Sequence, residues 1–303
     1  MNAVDLFAGA GGFSTGAKQA GCNVVWAGNH WPEAVEIHRQ NHPEAIHACQ
    51  DLQQTDWRDV PAHDLLLASP ACQGHSNARG KEKPHHDALR STAWAVVTAA
   101  ECHRPPVIVV ENVKQFATKW VLYPAWCAAM TALGYAISPN VIDSADHGVP
   151  QERKRLFIVL TRSKHPLELK LSRCPHVAAR SVIDFDGGTW SRVADKVPAT
   201  RARVLRGRRE LGARFVMPYY GGGSGLTGRS LDRPIGTITT KNRWGIVDGD
   251  RMRMASREEN RAFMGFDADA ILPEDVTTAT FMLGNAVVPK VAKDLITFIR
   301  EAA

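Results

Sequence analysis

The sequence predicts an α/β fold, a Rossmann-like sheet with a smaller β-containing domain, and three observations carry that expectation. Apolar runs alternate with helix-like stretches through the first 160 residues: AVDLF, NVVWAG, EAIHAC, HDLLLAS, PVIVVEN and RLFIVL. These runs are nearly continuous rather than alternating, which is how parallel strands covered on both faces read. After Leu160 the pattern stops, and residues 164 to about 250 turn rich in Arg, Gly and Pro. At the end of the chain, residues 288–302 set Val288, Val291, Ala292, Leu295, Ile296 and Ile299 on one stripe, with Lys290, Lys293 and Arg300 elsewhere. That spacing predicts an amphipathic helix.

Between the apolar runs, residues 86–103 and 121–134 have helical length and composition. The middle segment contains YYGGGSG at Tyr219–Gly225, then the strand-like GTITT and WGIVD. It reads as a smaller, irregular domain with long loops. A length of 303 residues and an apolar fraction of 44% leave room for one large domain and one small one. No stretch approaches the roughly 20 apolar residues of a membrane span, and no basic region precedes an apolar segment at the start. A cytoplasmic protein without a membrane partner is expected.

Cysteines at 22, 49, 72, 102, 127 and 174 form no CxxC pair. Neither a disulfide framework nor a structural metal is expected from that spacing. Charge is more informative. Residues 164–255 hold 18 Lys plus Arg against 8 Asp plus Glu, or +10, so the rest of the chain, 19 minus 23, carries −4. The dense set Arg201, Arg203, Arg206, Arg208, Arg209 and Arg214 suits phosphate contact, because each neutralised phosphate releases counterions. A solvated basic surface is equally compatible with it.

Four motifs carry chemistry. DLFAGAGGFSTG, Asp5 to Gly16, places a strand before a Gly-rich turn and a helix, where bare backbone and unpaired amides can approach a ligand or merely turn tightly. ASPACQGHS, Ala68 to Ser76, puts Cys72 just past the carboxyl end of a strand, as a nucleophile or as a small buried residue. ENV, Glu111 to Val113, ends the next strand with a carboxyl group able to hold a ring nitrogen, or simply a surface acid; Asn112 beside it is suited to fixing the loop. PQERKR, Pro150 to Arg155, spaces Arg153 and Arg155 by two, so on a strand both point to one face.

In this order, the four motifs resemble those of the DNA cytosine-5 methyltransferase family. RMRMASREENRAFMGF, Arg251 to Phe266, is similar to its late RExxRxxGF motif, and GNAVVP, Gly284 to Pro289, to its last motif. The resemblance implies a class I S-adenosylmethionine-dependent methyltransferase sheet over residues 1–163, a target-recognition domain over 164–269, and a C-terminal segment, 270–303, returning to the catalytic domain. It implies S-adenosyl-L-methionine as donor, double-stranded DNA as partner, a monomer on that DNA, and a stand-alone bacterial or phage enzyme. The target base must be flipped out of the helix to be reached.

The family's roles transfer residue by residue. Cys72 would add to carbon 6 of cytosine, Glu111 would hold N3 and the exocyclic amine, Arg155 would meet the base carbonyl, and Arg153 would brace the cysteine loop. For the cofactor, Phe7, Ala8, Gly9 and Gly11 would line the methionine and ribose, Trp31 would stack on adenine, and Asp51 would bond the adenine amine. Asn285 and Val287 would close that pocket. Gln73, Ser76, Thr237 and Ile238 would face DNA. Three positions depart from the pattern: His30 stands for the acid that binds the ribose, Ala71 for a proline, and His75 for an aromatic residue. Loss of an anion and gain of imidazoles imply tolerance of negative charge, hence a second donor reading, a carboxylated S-adenosylmethionine. An RNA enzyme of the same family and a catalytically silent DNA-binding protein are the competing readings.

Overall fold

A computed structural model describes residues 1–72, 89–219 and 228–302. The chain forms two compact units, one of Met1–Asp143, Lys154–Ser172 and Ala286–Ala303, the other of Ser144–Arg153 and Arg173–Asn285. These divisions differ from the boundaries at 163 and 269 expected from the motifs. Residues 144–153 join the second unit through local bonds: Glu152 N–H donates to the Ile235 carbonyl, and Ile235 N–H to the Pro150 carbonyl.

The first unit is built on seven strands: β1 (Asn2–Leu6), β2 (Asn23–Asn29), β3 (Ile46–Cys49), β4 (Leu65–Ala68), β5 (Val107–Asn112), β6 (Ala136–Asp143) and β7 (Lys154–Thr161). Their spatial order is β3-β2-β1-β4-β5-β7-β6. β1 to β5 are parallel, whereas β7 runs antiparallel to both β5 and β6. The apolar runs thus gave five parallel strands correctly, but RLFIVL is not a sixth. β6 was not expected at all, because ISPNVID is broken by polar residues and Pro139. It lies at the sheet edge, the place where a proline costs no interior ladder bond.

β1 is the point where the chain changes direction across the sheet, with β2 on one side and β4 on the other. Open α/β sheets bind ligands at the carboxyl ends of strands flanking such a switch point. Central strands β4 and β5 are buried throughout. Helices Trp94–His103 and Tyr123–Ala132 match the expected ones with later starts and earlier ends. The C-terminal helix, Pro289–Ala302, buries Val291, Ala292, Leu295, Ile296 and Ile299 as its spacing foretold. It packs on helix Gly12–Gln19 so closely that a Cβ on Gly16 would stand 2.5 Å from the Ala292 Cβ. Arg300 also bonds the Ala20 carbonyl.

The second unit contains a four-stranded antiparallel sheet in the order β8-β11-β10-β9, with β8 (Ser191–Arg192), β9 (Arg214–Pro218), β10 (Trp244–Asp248) and β11 (Arg251–Met254). Its core joins Val193, Val204, Phe215, Met217, Val247 and Met252. Two expectations fail here. The segment read as irregular holds a 14-residue helix, Pro198–Leu211, whose apolar stripe is thin, with only Val204 and Gly207 buried. GTITT is not a strand: its β-formers are held by side-chain bonds, Thr237 Oγ1 to the Glu152 carbonyl and Ile238 N–H to Gln151 Oε1. WGIVD is β10, as expected. Tyr220–Gly225 lies outside the described residues.

Candidate active site

Five of the expected site segments follow the carboxyl ends of the five parallel strands, so the topology alone gathers them on one edge of the first unit. After β1 come Phe7 to Gly11. Phe7 has φ 63°, unusual for a side-chain-bearing residue, and Gly11 has φ 82°. Gly11 is also required by space, since a Cβ there would fall 2.8 Å from His42 Nε2. The turn is closed by Gly11 N–H donating to the Ala8 carbonyl at 2.8 Å and opens into helix Gly12–Gln19. Bare amides at a helix start are suited to an anionic or carbonyl-bearing ligand.

Beyond β2 stand exposed His30 and half-buried Trp31, the latter with its N–H on Asn29 Oδ1 at 3.0 Å. Asp51, exposed after β3, accepts the Gln53 N–H at 3.0 Å. Val287 is buried just ahead of the C-terminal helix. A small cavity beside the glycine turn is lined by Ala8, Gly9, Ala27, Gly28, His38 and His47, among others. These small residues, the indole and the carboxylate fit a nucleoside-bearing cofactor lying across the strand ends.

The floor of the turn is a hydrogen-bonded chain that the sequence reading missed. Ser14 Oγ donates to the buried Asp5 carboxylate at 2.7 Å, His38 Nε2 lies 3.0 Å from Ser14 Oγ, and His38 Nδ1 lies 2.8 Å from His47 Nε2. Burial pushes the Asp5 carboxyl up to about 7, against the opposing Ser14 hydrogen bond. Desolvation pushes His38 well below its ordinary value, His42 down to about 4, and His47 down as well. All three imidazoles are therefore neutral at pH 7. Neutrality fits the bonding: Ser14 donating to Asp5 leaves Oγ to accept from His38, and His38 Nδ1 to accept from His47.

After β4 the chain is pinned residue by residue up to Cys72. Ser69 Oγ donates to the Phe7 carbonyl at 3.2 Å, tying the cysteine segment to the glycine turn across the switch point. Asn112 Nδ2 donates to the Pro70 carbonyl at 2.9 Å, so Asn112 fixes this segment as its place after the strand suggested. The Ala71 N–H donates to Thr92 Oγ1 at 3.1 Å. Cys72 itself is half-buried and not in a disulfide. Gln73, His75 and Ser76 lie outside the described residues.

Glu111 ends β5, buried, and Arg155 enters β7 beside it because the two strands are antiparallel; Arg155 Nε lies 3.3 Å from Glu111 Oε1. Arg153 does not share a face with Arg155, contrary to the alternation expected. It precedes β7, belongs to the second unit, and is 2% exposed. Its guanidinium donates to the Ile238 and Gly284 carbonyls, both at 2.9 Å. Gln151, fully buried, donates to the Phe263 carbonyl at 3.0 Å and accepts from Ile238 N–H at 2.7 Å. Thr237 and Ile238 are thus held by the PQERKR segment. Asn285 bonds the Phe281 carbonyl at 3.2 Å within its own helix.

The basic set of the second unit divides by use. Arg203 lies 5.2 Å from the Tyr219 ring centroid, Arg214 pairs with Asp248 at 2.7 Å over the Phe185 ring, and Arg251 and Arg253 flank Trp190. Arg253 is also locked to Glu259 at 2.6 Å, and Glu259 completes a capping box with Ser256. Arg201 and Arg209, exposed on helix Pro198–Leu211, have no ion pair among the described residues.

The family model of the C-5 cytosine-specific DNA methylases matches residues 1–187. The chain belongs to that family. Two curated relatives of this methylase are the Type II methyltransferases M.HhaI of Haemophilus parahaemolyticus and M.AgeI of Thalassovita gelatinovora. M.HhaI is 30% identical over 163 residues, which cover 53% of this chain and 49% of that protein. M.AgeI is 30% identical over 168 residues, covering 52% and 39%. The chain thus spans about half the length of the curated relatives it matches, or less. A solved Escherichia coli prophage protein, described as a DNA modification methyltransferase, covers 99% of both chains with a TM-score of 0.71. At 16% identity that likeness speaks for the fold alone. No helix among the described residues is long and apolar enough to cross a membrane.

Proposed function

We propose that this methylase transfers a methyl group from S-adenosylmethionine to carbon 5 of a cytosine flipped out of duplex DNA. The observation that carries the reading is the pinned approach to Cys72, joined through Ser69 to the glycine turn and through Asn112 to the strand that bears Glu111. Phe7, Ala8, Gly9, Gly11, Trp31 and Asp51 would hold the cofactor, with Val287 and Asn285 closing the pocket. When bound, S-adenosylmethionine supplies an electrophilic methyl group.

Carbon 5 of cytosine is a weak nucleophile. The Cys72 thiolate bonds carbon 6, the C5–C6 π pair moves onto carbon 5, and Glu111 holds N3 and the exocyclic amine as charge develops on the ring. Arg155 meets the base carbonyl. Once carbon 5 is substituted, water or a base takes its proton, the electron pair re-forms the double bond, and the Cys72 sulfur leaves. Arg153 acts at a distance from this chemistry, on the carbonyls of Ile238 and Gly284. Thr237 and Ile238, with Gln73 and Ser76, would face the DNA, which the protein would bind as a monomer.

A carboxylated donor is the finer alternative suggested by His30 and His75. The imidazoles under the glycine turn favour the ordinary donor, since His38, His42 and His47 are neutral and offer a carboxylate no positive charge. Mass spectrometry of nucleosides from duplex DNA treated with each donor tests both readings. 5-Methylcytosine from S-adenosylmethionine is expected; modification of tRNA but not DNA, or no base modified at all, would overturn the proposal.

Phosphate contacts fall to the arginines not committed inside the second unit. Arg201→Ala/Arg209→Ala is expected to weaken duplex binding irrespective of sequence and to lower the slope of log K against log salt by roughly 2, near 0.9 per lost phosphate contact. A salt titration by gel shift reads this directly, and an unchanged slope would remove both residues from the interface.

A further inference from the structure

The expected family roles leave Thr92 unassigned, yet its hydroxyl is used on both sides. Oγ1 accepts the Ala71 N–H at 3.1 Å and donates to the Leu89 carbonyl at 2.7 Å. Ala71 is the residue immediately before Cys72, and Leu89 is the first described residue after 73–88. One hydroxyl therefore joins the chain where it enters the nucleophile's segment to the chain where it returns.

The platform beneath Thr92 is fixed independently. Ser91 Oγ donates to Gln53 Oε1 at 2.9 Å, and the indole of fully buried Trp126 donates to the Ala93 carbonyl at 3.0 Å. Ala93 is buried and leads into helix Trp94–His103, which packs in the core of the first unit. Thr92 is anchored on both chain neighbours, whereas Ala71 is half-buried and has no side chain of its own with which to hold position. Ser69 and Asn112 fix the two residues ahead of it. The last link before the sulfur depends on Thr92.

We propose that Thr92 is a positioning residue for the nucleophile, its hydroxyl setting the place from which the Cys72 sulfur attacks. The inference rests on the reading of Cys72 given above. A proline at position 71 would restrict the backbone through its ring but would have no N–H to give; alanine leaves the backbone freer and supplies that N–H. Thr92 turns it into a restraint. Attack geometry is sensitive to such restraints, because displacement by about 1 Å can cost on the order of 100-fold in rate.

The test compares native protein, Thr92→Val and Thr92→Ser in single-turnover capture of a duplex in which 5-fluorocytosine replaces cytosine, with S-adenosylmethionine present. Thr92→Val keeps the shape and loses both bonds; it is expected to slow adduct formation about tenfold or more. Half-saturation for cofactor and duplex should stay within twofold of native, and exchange of the Ala71 amide should accelerate. Thr92→Ser should restore the rate and the amide protection. Native-rate capture by Thr92→Val overturns the proposal, as does equal impairment of both variants or a loss that falls on half-saturation instead of rate. Failure of the native protein itself to form an adduct would instead overturn the reading of Cys72.

Discussion

Cys72→Ala is expected to abolish covalent capture of 5-fluorocytosine DNA and to lower methyl transfer by at least about three orders of magnitude, roughly 4 kcal/mol of transition-state stabilisation. The size follows from what the sulfur does. Without addition at carbon 6 there is no electron-rich carbon 5, and no neighbouring group replaces that bond. The substitution removes one atom from a half-buried side chain whose approach is held by Ser69, Asn112 and Thr92, so the fold should persist. Binding of S-adenosylmethionine, which depends on the glycine turn, should be unchanged by calorimetry. Cys72→Ser should behave alike, because a hydroxyl is a far poorer nucleophile at neutral pH. An adduct formed by either variant would move the nucleophile elsewhere.

The sequence made the catalytic edge legible because its strands are buried on both faces and therefore apolar without interruption. HDLLLAS and PVIVVEN could be nothing but central strands, and whatever followed them had to stand at the carboxyl ends, which is where Cys72 and Glu111 are found. β6 escaped notice for the complementary reason: an edge strand needs only half its residues apolar and tolerates Pro139. Helix Pro198–Leu211 was hidden by its own arginines, which drew a reading of charge from a segment whose buried stripe is two residues wide. Arg153 and Arg155 show the limit of period-2 reasoning, since the strand begins between them and sends each into a different unit. Thr92 and the Ser14–His38–His47 chain gave no signal at all. Their partners are far away in sequence, and a lone Thr or His carries no spacing by which to find them.

Glu111→Gln should lower turnover by about 100- to 1,000-fold while leaving the affinity for duplex DNA within a few-fold, the loss expected when one preorganised group facing developing charge is removed. Gln keeps the volume and can still offer an N–H toward N3. It cannot take or give a proton there, and it leaves Arg155, now 3.3 Å from the carboxylate, without its anion. Arg155 would then be freer to turn away from the base carbonyl, so the two losses should be coupled. Arg155→Ala in the native background is expected to cost less than Glu111→Gln, and the double variant less than the product of the two. Pre-steady-state methyl transfer on a single duplex measures all four proteins. Strictly multiplicative losses would mean that the pair acts as two separate groups, and a Glu111→Gln protein with native turnover would take the carboxylate out of the chemistry altogether.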